Sequence, residues 1–383
     1  MAYQFSLAEV AWLTSATGVL DELATLPLTS DSRLSDVSAA RRIAGEFAAC
    51  ALETAMLRRK AAVKLDDAAR WLFTEDAAQQ ATASAVTRHR AERLRDRVVH
   101  DVTCSVGADL SGLLSVAQRV IGSDLDPVRL AMARHNLGPA VTLVRADALQ
   151  PVSRGTVVVA DPARRSSGRR TWKPQDFSPP LDGLVSAYPD RDLVVKCAPG
   201  IDFDSVPWAA EIEIVSLAGS VRESALWSPG LASPGVRRRA TVLTGDGSWT
   251  LTDAESDDCA VTEPRRWVID PDGAVVRAGL VRHYAARHGL SQVDEHIAYL
   301  TGDSVPLGVR AFEVHSWGKY TEKSLKAELR ARGVGKLEIL VRGLDVDPNS
   351  LRPRLSLRGA GSATVVLTRI GRTPTALLCT PNR

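Results

Sequence analysis

The 383-residue sequence has few cysteines, few aromatic residues and no long hydrophobic run. Its five cysteines are scattered and form no Cys-x-x-Cys pair, so neither a disulfide framework nor a zinc knuckle is indicated. No stretch approaches the roughly eighteen uninterrupted apolar residues of a membrane span, and the N-terminus lacks the pattern of a signal peptide. We therefore expect a globular, cytoplasmic protein without a metal site, long enough for two or three domains.

Two common phosphate-binding motifs are also absent. Residues 98–113, VVHDVTCSVGADLSGL, are predicted to form a strand, a tight loop and a helix start, where ligands of open α/β sheets bind. A dinucleotide-binding loop would have the glycines of GxGxxG there, but the corresponding residues are Ser105, Gly107 and Leu110. No Gly-Lys-Ser/Thr follows, which excludes a P-loop. These departures disfavour a cofactor that binds through a pyrophosphate.

Charge is distributed unevenly along the chain. The formal net charge is +3, but residues 319–383 contain 13 Lys and Arg against 5 Asp and Glu. This tail is therefore basic and the rest of the chain is acidic, so a polyanion would meet the C-terminus first. The alternative is a solvated basic face without a partner.

The hydrophobic pattern predicts four parts. Residues 1–95 are predicted to be helical, because Ala-rich segments such as 38–58 have apolar residues three and four positions apart and no proline. Residues 96–245 alternate β-branched runs with amphipathic segments, which predicts an α/β fold with a parallel, doubly wound sheet. Residues 246–309 are predicted to connect this sheet to a small α/β domain at 310–383.

Predicted strands of the sheet end in aspartates. Asp101 ends the first, Asp124 ends the second, and Asp147 follows the third. A carboxylate after the second strand can accept both hydroxyls of a ribose, and one beside the third can accept from an adenine amino group. Ribose and adenine without a pyrophosphate indicate S-adenosylmethionine, although helix capping is the alternative role of each aspartate. We assign cofactor binding to Asp101, Gly107, Asp124 and Asp147.

Four motifs follow one another in the sheet region: DVTCSVGAD, VIGSDLDPVRLAMARHN, RADA and VVADPARR. Together they resemble the class I S-adenosylmethionine-dependent methyltransferases, most closely the branch with trimethylguanosine synthase and other RNA guanine methylases. The resemblance implies a Rossmann-like sheet. The upstream WLFTEDAAQQATA is similar to the segment that those enzymes place over the cofactor. Ser105 stands where this branch has a glycine.

The C-terminal part carries a second resemblance. Residues from about 310 to 381 are similar to the THUMP-like domain of bacterial methyltransferases. THUMP domains bind RNA, so the resemblance implies a tRNA or rRNA substrate.

The fourth predicted strand ends in Asp161-Pro162-Ala163-Arg164. The resemblance places this strand end at the transferable methyl group, so we assign the catalytic site to Asp161, Pro162 and Arg164. Asp161 would orient or deprotonate the nucleophilic nitrogen. Arg164 stands where related enzymes have an aromatic residue, and its guanidinium can stack on a base or hold a phosphate. Capping of a helix is the alternative role of Asp161.

Two further features adjoin this strand end. Residues 164–173 combine five basic residues with Trp172, which is typical of a nucleic-acid contact loop; a solvated loop is the alternative. Lys196 ends the fifth strand, where its ammonium could offset the charge of Asp161 or steer a phosphate. The neighbouring Cys197 is expected to be a buried thiol.

The sequence therefore predicts an enzyme that methylates a base in RNA. One alternative is a non-catalytic RNA-binding protein with a degenerate methyltransferase fold, suggested by Ser105 and the missing aromatic residue. A methyltransferase for a protein or a small molecule is the other.

Overall fold

The computed structural model describes residues 3–163, 165–166, 169–170 and 176–382. The chain folds as two compact units, the first formed by Met1–Ile212 with Arg222–Ala232 and the second by Glu213–Val221 with Ser233–Arg383. The four predicted parts therefore differ from the two units. The N-terminal helices share one unit with the parallel sheet, and residues 246–309 belong to the second unit.

Six helices of the described chain precede the sheet: α1 (Leu7–Ser15), α2 (Thr17–Ala24), α3 (Arg33–Ala44), α4 (Ala48–Ala61), α5 (Glu75–Gln80) and α6 (Ser84–Glu92). A capping box begins α1, because the Ser6 hydroxyl accepts from the Glu9 amide and the Glu9 carboxylate accepts from the Ser6 amide. The predicted helix over 38–58 is interrupted. Gly45 ends α3 with a φ of 55°, which no helical residue adopts, and α4 begins three residues later.

The strands from 98 to 227 are β1 (Val98–Asp101), β2 (Arg119–Asp124), β3 (Thr142–Arg145), β4 (Val157–Ala160), β5 (Arg165–Ser166), β6 (Arg169–Arg170), β7 (Leu193–Cys197), β8 (Glu211–Leu217) and β9 (Ser220–Trp227). Between them lie the helices α7 (Ala108–Leu113), α8 (Pro127–Leu137) and α9 (Leu181–Ala187). Within the first unit, β3, β2, β1, β4 and β7 are parallel neighbours in that order, and β9 pairs with β7 antiparallel. Every residue of β4 and β7 is buried, as expected for a parallel sheet that is covered on both faces.

The strand order reverses at β1, which lies between β2 and β4. In open α/β sheets the helices leave the sheet on opposite faces at such a point and open a crevice beyond the strand ends. The carboxyl ends of these three strands, with Asp101, Asp124 and Asp161, therefore flank one crevice.

The N-terminal helices share a hydrophobic core with the helix layer of the sheet. Their buried side chains, among them Leu13 and Leu57, form one cluster with Val106 of the β1–α7 loop and Met132 of α8. Burial of this apolar surface accounts for the position of the helical region inside the first unit rather than in a separate domain.

The second unit contains β10 (Arg238–Thr244), β11 (Gly247–Thr252), β12 (Trp267–Asp270), α10 (Gly273–Arg277), α11 (Val281–His288), β13 (Ser291–Gln292), β14 (Leu300–Gly302), β15 (Arg310–Lys319), α12 (Glu322–Ala331), β16 (Val334–Val341), α13 (Pro348–Leu355), β17 (Gly361–Ile370) and β18 (Thr373–Pro381). Seven of its described strands form a sheet in the order β13-β14-β12-β15-β18-β17-β16. The strands β10 and β11 lie outside this sheet and pair with each other antiparallel. Leucines of α12 and α13, such as Leu329 and Leu351, pack into its core.

Residues 246–309 are thus not a simple connection. The short strands β12, β13 and β14 join the same sheet as β15–β18, and β12 pairs directly with β15. Strands of two to four residues are too short to show a hydrophobic period, which is why the sequence did not predict them. Among the described residues, no helix is both long and apolar enough to span a bilayer.

Candidate active site

A cavity of about 570 Å³ opens beyond the carboxyl ends of β1, β2 and β4 in the first unit. Its volume lies within the range of small-molecule sites, roughly 300–1,000 Å³. Of the predicted site residues, Asp124, Asp147 and Asp161 line the cavity. Asp101 ends β1 and Gly107 lies in the loop that follows, and neither residue lines the cavity.

Asp101 is a buried support for the loop rather than a wall of the cavity. Its side chain is buried, and its Oδ1 accepts from the Thr103 amide at 3.0 Å. Burial, aided by the nearby charge of Asp109, raises the pKa of Asp101 to about 7. This carboxyl group therefore changes charge near neutral pH.

The β1–α7 loop contains two residues with positive φ. Gly107 has a φ of 92°, and a Cβ added there would lie 2.5 Å from Cδ1 of Leu137, so a side chain at this position is strained. Ser105 has a φ of 49°, and its amide donates to Oδ2 of Asp124 at 3.0 Å. The serine thus adopts the left-handed conformation that glycine favours, and the departure at Ser105 does not prevent the turn.

Asp124 and Asp147 combine local hydrogen bonds with exposure to the cavity. Asp124 accepts from the Ser105 amide through Oδ2 and from the Asp126 amide through Oδ1 at 2.9 Å. Asp147 accepts from the Leu149 amide at 2.9 Å. Because each carboxylate oxygen can accept two hydrogen bonds, these side chains retain acceptor capacity toward the cavity.

Asp161 follows β4 at the cavity wall. Its side chain is 43% exposed, and its amide donates to the Thr103 hydroxyl at 2.7 Å. Ala163 pairs with Ser178 in an antiparallel bridge, so the chain stays extended and no described helix begins at Asp161. The capping alternative is therefore wrong. Pro162 is buried beside Asp161 and does not line the cavity.

Arg164 lies outside the described residues. Of the basic loop at 164–173, the structure describes the backbone of β5 and β6, which pair antiparallel. The roles of Arg164 and of the loop as contacts for nucleic acid remain predictions.

Lys196 joins the end of β7 to three other elements. Its Nζ donates to Oδ2 of Asp161 at 2.6 Å, to Oδ2 of Asp109 in α7 at 2.8 Å, and to the hydroxyl of Thr82 at 2.6 Å. Thr82 belongs to the extended segment between α5 and α6. The contact between Lys196 and Asp161 confirms the interpretation that the ammonium lies beside this carboxylate.

A second cation extends the network away from the cavity. Arg90 of α6 contacts Oδ1 of Asp109 at 2.5 Å and also pairs with Glu223 of β9. Glu223 thus compensates a buried arginine that is distant in sequence. Arg90, Asp109 and Thr82 were not predicted from the sequence; for Arg90 and Asp109, a charge within a predicted helical segment was the available signal.

The charges of this network stabilise one another. Burial opposes ionisation of Lys196, but the negative charges of Asp109 and Asp161 outweigh it and raise the lysine pKa. Burial likewise opposes ionisation of Asp109, but Arg90 and Lys196 outweigh it and hold the pKa of that carboxyl well below its usual range. These groups are therefore ionised at neutral pH.

Comparison with known proteins identifies the family. The chain is 52% identical over 355 residues to an uncharacterized S-adenosylmethionine-dependent methyltransferase found in two strains of Mycobacterium tuberculosis, covering 88% of this chain and 99% of the relative. The chain belongs to the S-adenosylmethionine-dependent methyltransferases. It is therefore an enzyme, and its methyl donor is S-adenosylmethionine, as the sequence predicted.

Two family models match parts of the methyltransferase. Residues 309–381 match a THUMP domain-like family, and residues 6–61 match a domain of unknown function. The first match confirms the predicted resemblance of the C-terminal part. A crystal structure of a protein from Porphyromonas gingivalis W83, described as a methyltransferase, has the same fold, with a TM-score of 0.73 and 18% identity over 100% of both chains.

The cavity of the methyltransferase fits its methyl donor. It presents carboxylate acceptors from two neighbouring strand ends, suited to hydroxyl and amino groups, and its loop is not the glycine-rich cradle of a pyrophosphate. The predicted α/β class and Rossmann-like sheet are confirmed, with the antiparallel β9 added beside β7.

Proposed function

We propose that this methyltransferase methylates a base in RNA, tRNA or rRNA, and that its THUMP-like domain docks the RNA. One observation carries the proposal: Asp161 is fixed at the end of β4 in a methyltransferase whose chain also matches a THUMP-like family at residues 309–381. The first feature supplies an acceptor for a proton from a base nitrogen, and the second supplies a module of an RNA-binding type.

In this proposal the strand-end carboxylates hold the cofactor. Asp124 accepts from the ribose hydroxyls and Asp147 from the adenine amino group, since both line the cavity with free lone pairs. Asp101 and Gly107 support the cofactor site indirectly, by holding the backbone of the β1–α7 loop in its turn.

S-adenosylmethionine supplies an electrophilic methyl group when it is bound. The protein has to orient the acceptor nitrogen and to accept the proton that this nitrogen releases on methylation. Asp161 is suited to both tasks, because it is exposed at the cavity and its backbone is held by Thr103. Pro162 fixes the backbone after it, and Arg164 is proposed to contact the base or a phosphate.

The basic C-terminal tail supports an RNA substrate. Several of its cations pair with carboxylates of the same unit, for example Arg332 with Glu328. Lys323, Arg330 and Lys336 are exposed and form no ion pair with any other described residue. Exposed, uncompensated cations suit contacts with phosphates.

Mass spectrometry of RNA nucleosides tests the proposal. RNA from a strain that lacks the gene should miss one methylated nucleoside, which the wild-type gene restores and an Asp161→Ala variant does not. Asp182→Asn, at an exposed position in the first turn of α9, is the matched control and should restore the nucleoside. An unchanged set of nucleosides in the deletion strain would contradict an RNA substrate and favour a protein or a small molecule.

A further inference from the structure

We infer that Lys196 is a positioning residue for methyl transfer, which holds one oxygen of Asp161 and leaves the other for the acceptor nitrogen. This inference rests on the proposed role of Asp161 as the group that accepts the proton. It assigns a task to Lys196 beyond the balance of charge, through its hydrogen bond to Asp161.

The contacts of Lys196 fix its ammonium in one orientation. An ammonium has three N–H donors, and three acceptors lie within 2.8 Å of Nζ: Thr82, Asp109 and Asp161. Every donor is thus used, and the side chain is only 7% exposed. Rotation of the ammonium or a shift of the chain would break a hydrogen bond in a buried place, where its loss is costly.

The remainder of the network holds Asp109 in turn. Arg90 binds the second oxygen of Asp109 and the carboxylate of Glu223, and these three side chains are 11% exposed or less. Buried charges without a partner are strongly disfavoured. Asp109 therefore cannot move away from Lys196 without breaking two buried ion pairs, so the anchor of the lysine is rigid.

The network of ion pairs around Lys196 presents a carboxylate at the cavity wall. Two cations, Arg90 and Lys196, face three carboxylates, Asp109, Glu223 and Asp161. Only Asp161 is substantially exposed, so it is the carboxylate of this network that presents negative charge to the cavity. A negative charge at that place stabilises the positive charge that develops on an acceptor nitrogen during methyl transfer.

Asp161 is held on both sides. The Thr103 hydroxyl accepts from its amide at 2.7 Å, and Lys196 donates to its Oδ2 at 2.6 Å. Oδ1 has no hydrogen-bond partner among the described residues, although the side chain lies at the cavity. This is the oxygen that we assign to the acceptor N–H. Such fixation supports a reacting group in a productive geometry.

Steady-state kinetics with Lys196 variants tests the inference. Lys196→Ala should lower kcat for RNA methylation about 100-fold, the usual size of a contribution from a positioned proton acceptor. Its KM for S-adenosylmethionine should stay within about threefold of wild type, since β4 and β1 separate β7 from β2, the strand that ends in Asp124. Added methylammonium or ethylammonium should restore part of kcat, which a structural defect alone would not allow.

Lys64→Met is the matched control. Lys64 is a partly buried lysine that donates to the carbonyl of Gln79 near the same segment but does not contact Asp161. It should keep kcat close to wild type. If Lys196→Ala binds S-adenosylmethionine normally and keeps the wild-type kcat, the inference is contradicted.

Crystal structures give a readout that does not depend on RNA. In Lys196→Met, Asp161 should leave its present position while Asp124 stays in place; an unmoved Asp161 overturns the inference. If loss of the cation prevents folding, the double variant Asp109→Asn, Lys196→Met removes both buried charges and serves the same comparison. A wild-type enzyme that does not methylate RNA contradicts the proposed function, whereas the position of Asp161 still decides this inference.

Discussion

Two strand-end aspartates of this methyltransferase have opposite surroundings. Asp101 is buried with a pKa raised to about 7, whereas Asp161 is exposed at the cavity and bound by Lys196. The sequence placed both residues at strand ends and could not distinguish these surroundings. Neighbours distant along the chain make the difference, namely Asp109 beside the first residue and Lys196 beside the second.

Because Asp101 is buried with a raised pKa, we expect the free energy of unfolding to depend on pH. Its carboxyl group titrates near pH 7 in the folded protein and near pH 3.9 when unfolded. The folded state therefore holds the proton more tightly, and this contribution is complete below about pH 4 and lost as the pH rises to about 7. Urea unfolding from pH 4.5 to 7.5 should show that Asp101→Asn loses less stability over this range than wild type. If the free energies of unfolding of Asp101→Asn and wild type changed equally with pH, the raised pKa of Asp101 would be contradicted.

We expect replacement of Asp124 to lower the affinity for the cofactor. Asp124→Ala should weaken S-adenosylmethionine binding by roughly 1 to 3 kcal/mol, the cost of losing charge-assisted hydrogen bonds. Calorimetric titration measures this, with the exposed Asp182→Ala as control. Equal affinities of Asp124→Ala and wild type would remove Asp124 from the cofactor site.

At the scale of elements, the strands of the parallel sheet could be predicted from the sequence, whereas the loop between α5 and α6 could not. The strands β1, β2 and β4 and their terminal aspartates were predictable, because each strand contains neighbouring β-branched apolar residues and is closed by an aspartate. The break between α5 and α6 was not, since Ala81, Thr82 and Ala83 include no glycine or proline. Tertiary contacts determine this break, including the one that brings Thr82 to Lys196.

We expect a side chain at Gly107, in the β1–α7 loop, to destabilise the fold. Gly107→Ala should lower the free energy of unfolding by about 1 to 3 kcal/mol, because a positive φ and a contact with Leu137 both oppose a Cβ. Gly18→Ala is the control, since Gly18 lies in α2 with no atom within 4 Å of an added Cβ and should leave stability unchanged or slightly raised. Denaturant unfolding of both variants measures the difference. Equal stabilities would show that the loop tolerates a side chain.

At the scale of the whole molecule, the two units change how RNA docking has to be tested. Truncation near residue 310 suits the four predicted parts, but it would remove β15, the partner of β12, from the sheet of the second unit. Composition and periodicity could predict the small α/β domain at the C-terminus. They could not predict that β12, β13 and β14 complete its sheet. Point variants of the full chain are therefore the appropriate test.

Because the second unit has exposed cations, we expect its binding to RNA to weaken as the salt concentration rises. The logarithm of the affinity should fall with the logarithm of the salt concentration, with a slope near −0.7 for each phosphate contact to a single strand. Charge reversal at Lys323, Arg330 and Lys336 should weaken binding and make this slope shallower, without changing affinity for S-adenosylmethionine. Arg154→Glu, at an exposed basic position in the first unit, is the control. An unchanged slope in the triple variant would remove these residues from RNA docking.

Methyl transfer in vitro tests the central claim most directly. Purified enzyme is incubated with S-adenosylmethionine that carries a radiolabelled methyl group and with RNA from a strain that lacks the gene. We predict that wild type labels this RNA, and that Asp161→Asn binds the cofactor with unchanged affinity but transfers at least about 100-fold more slowly. Absence of label with wild type would contradict an RNA substrate, and equal rates for the two proteins would contradict the catalytic role of Asp161.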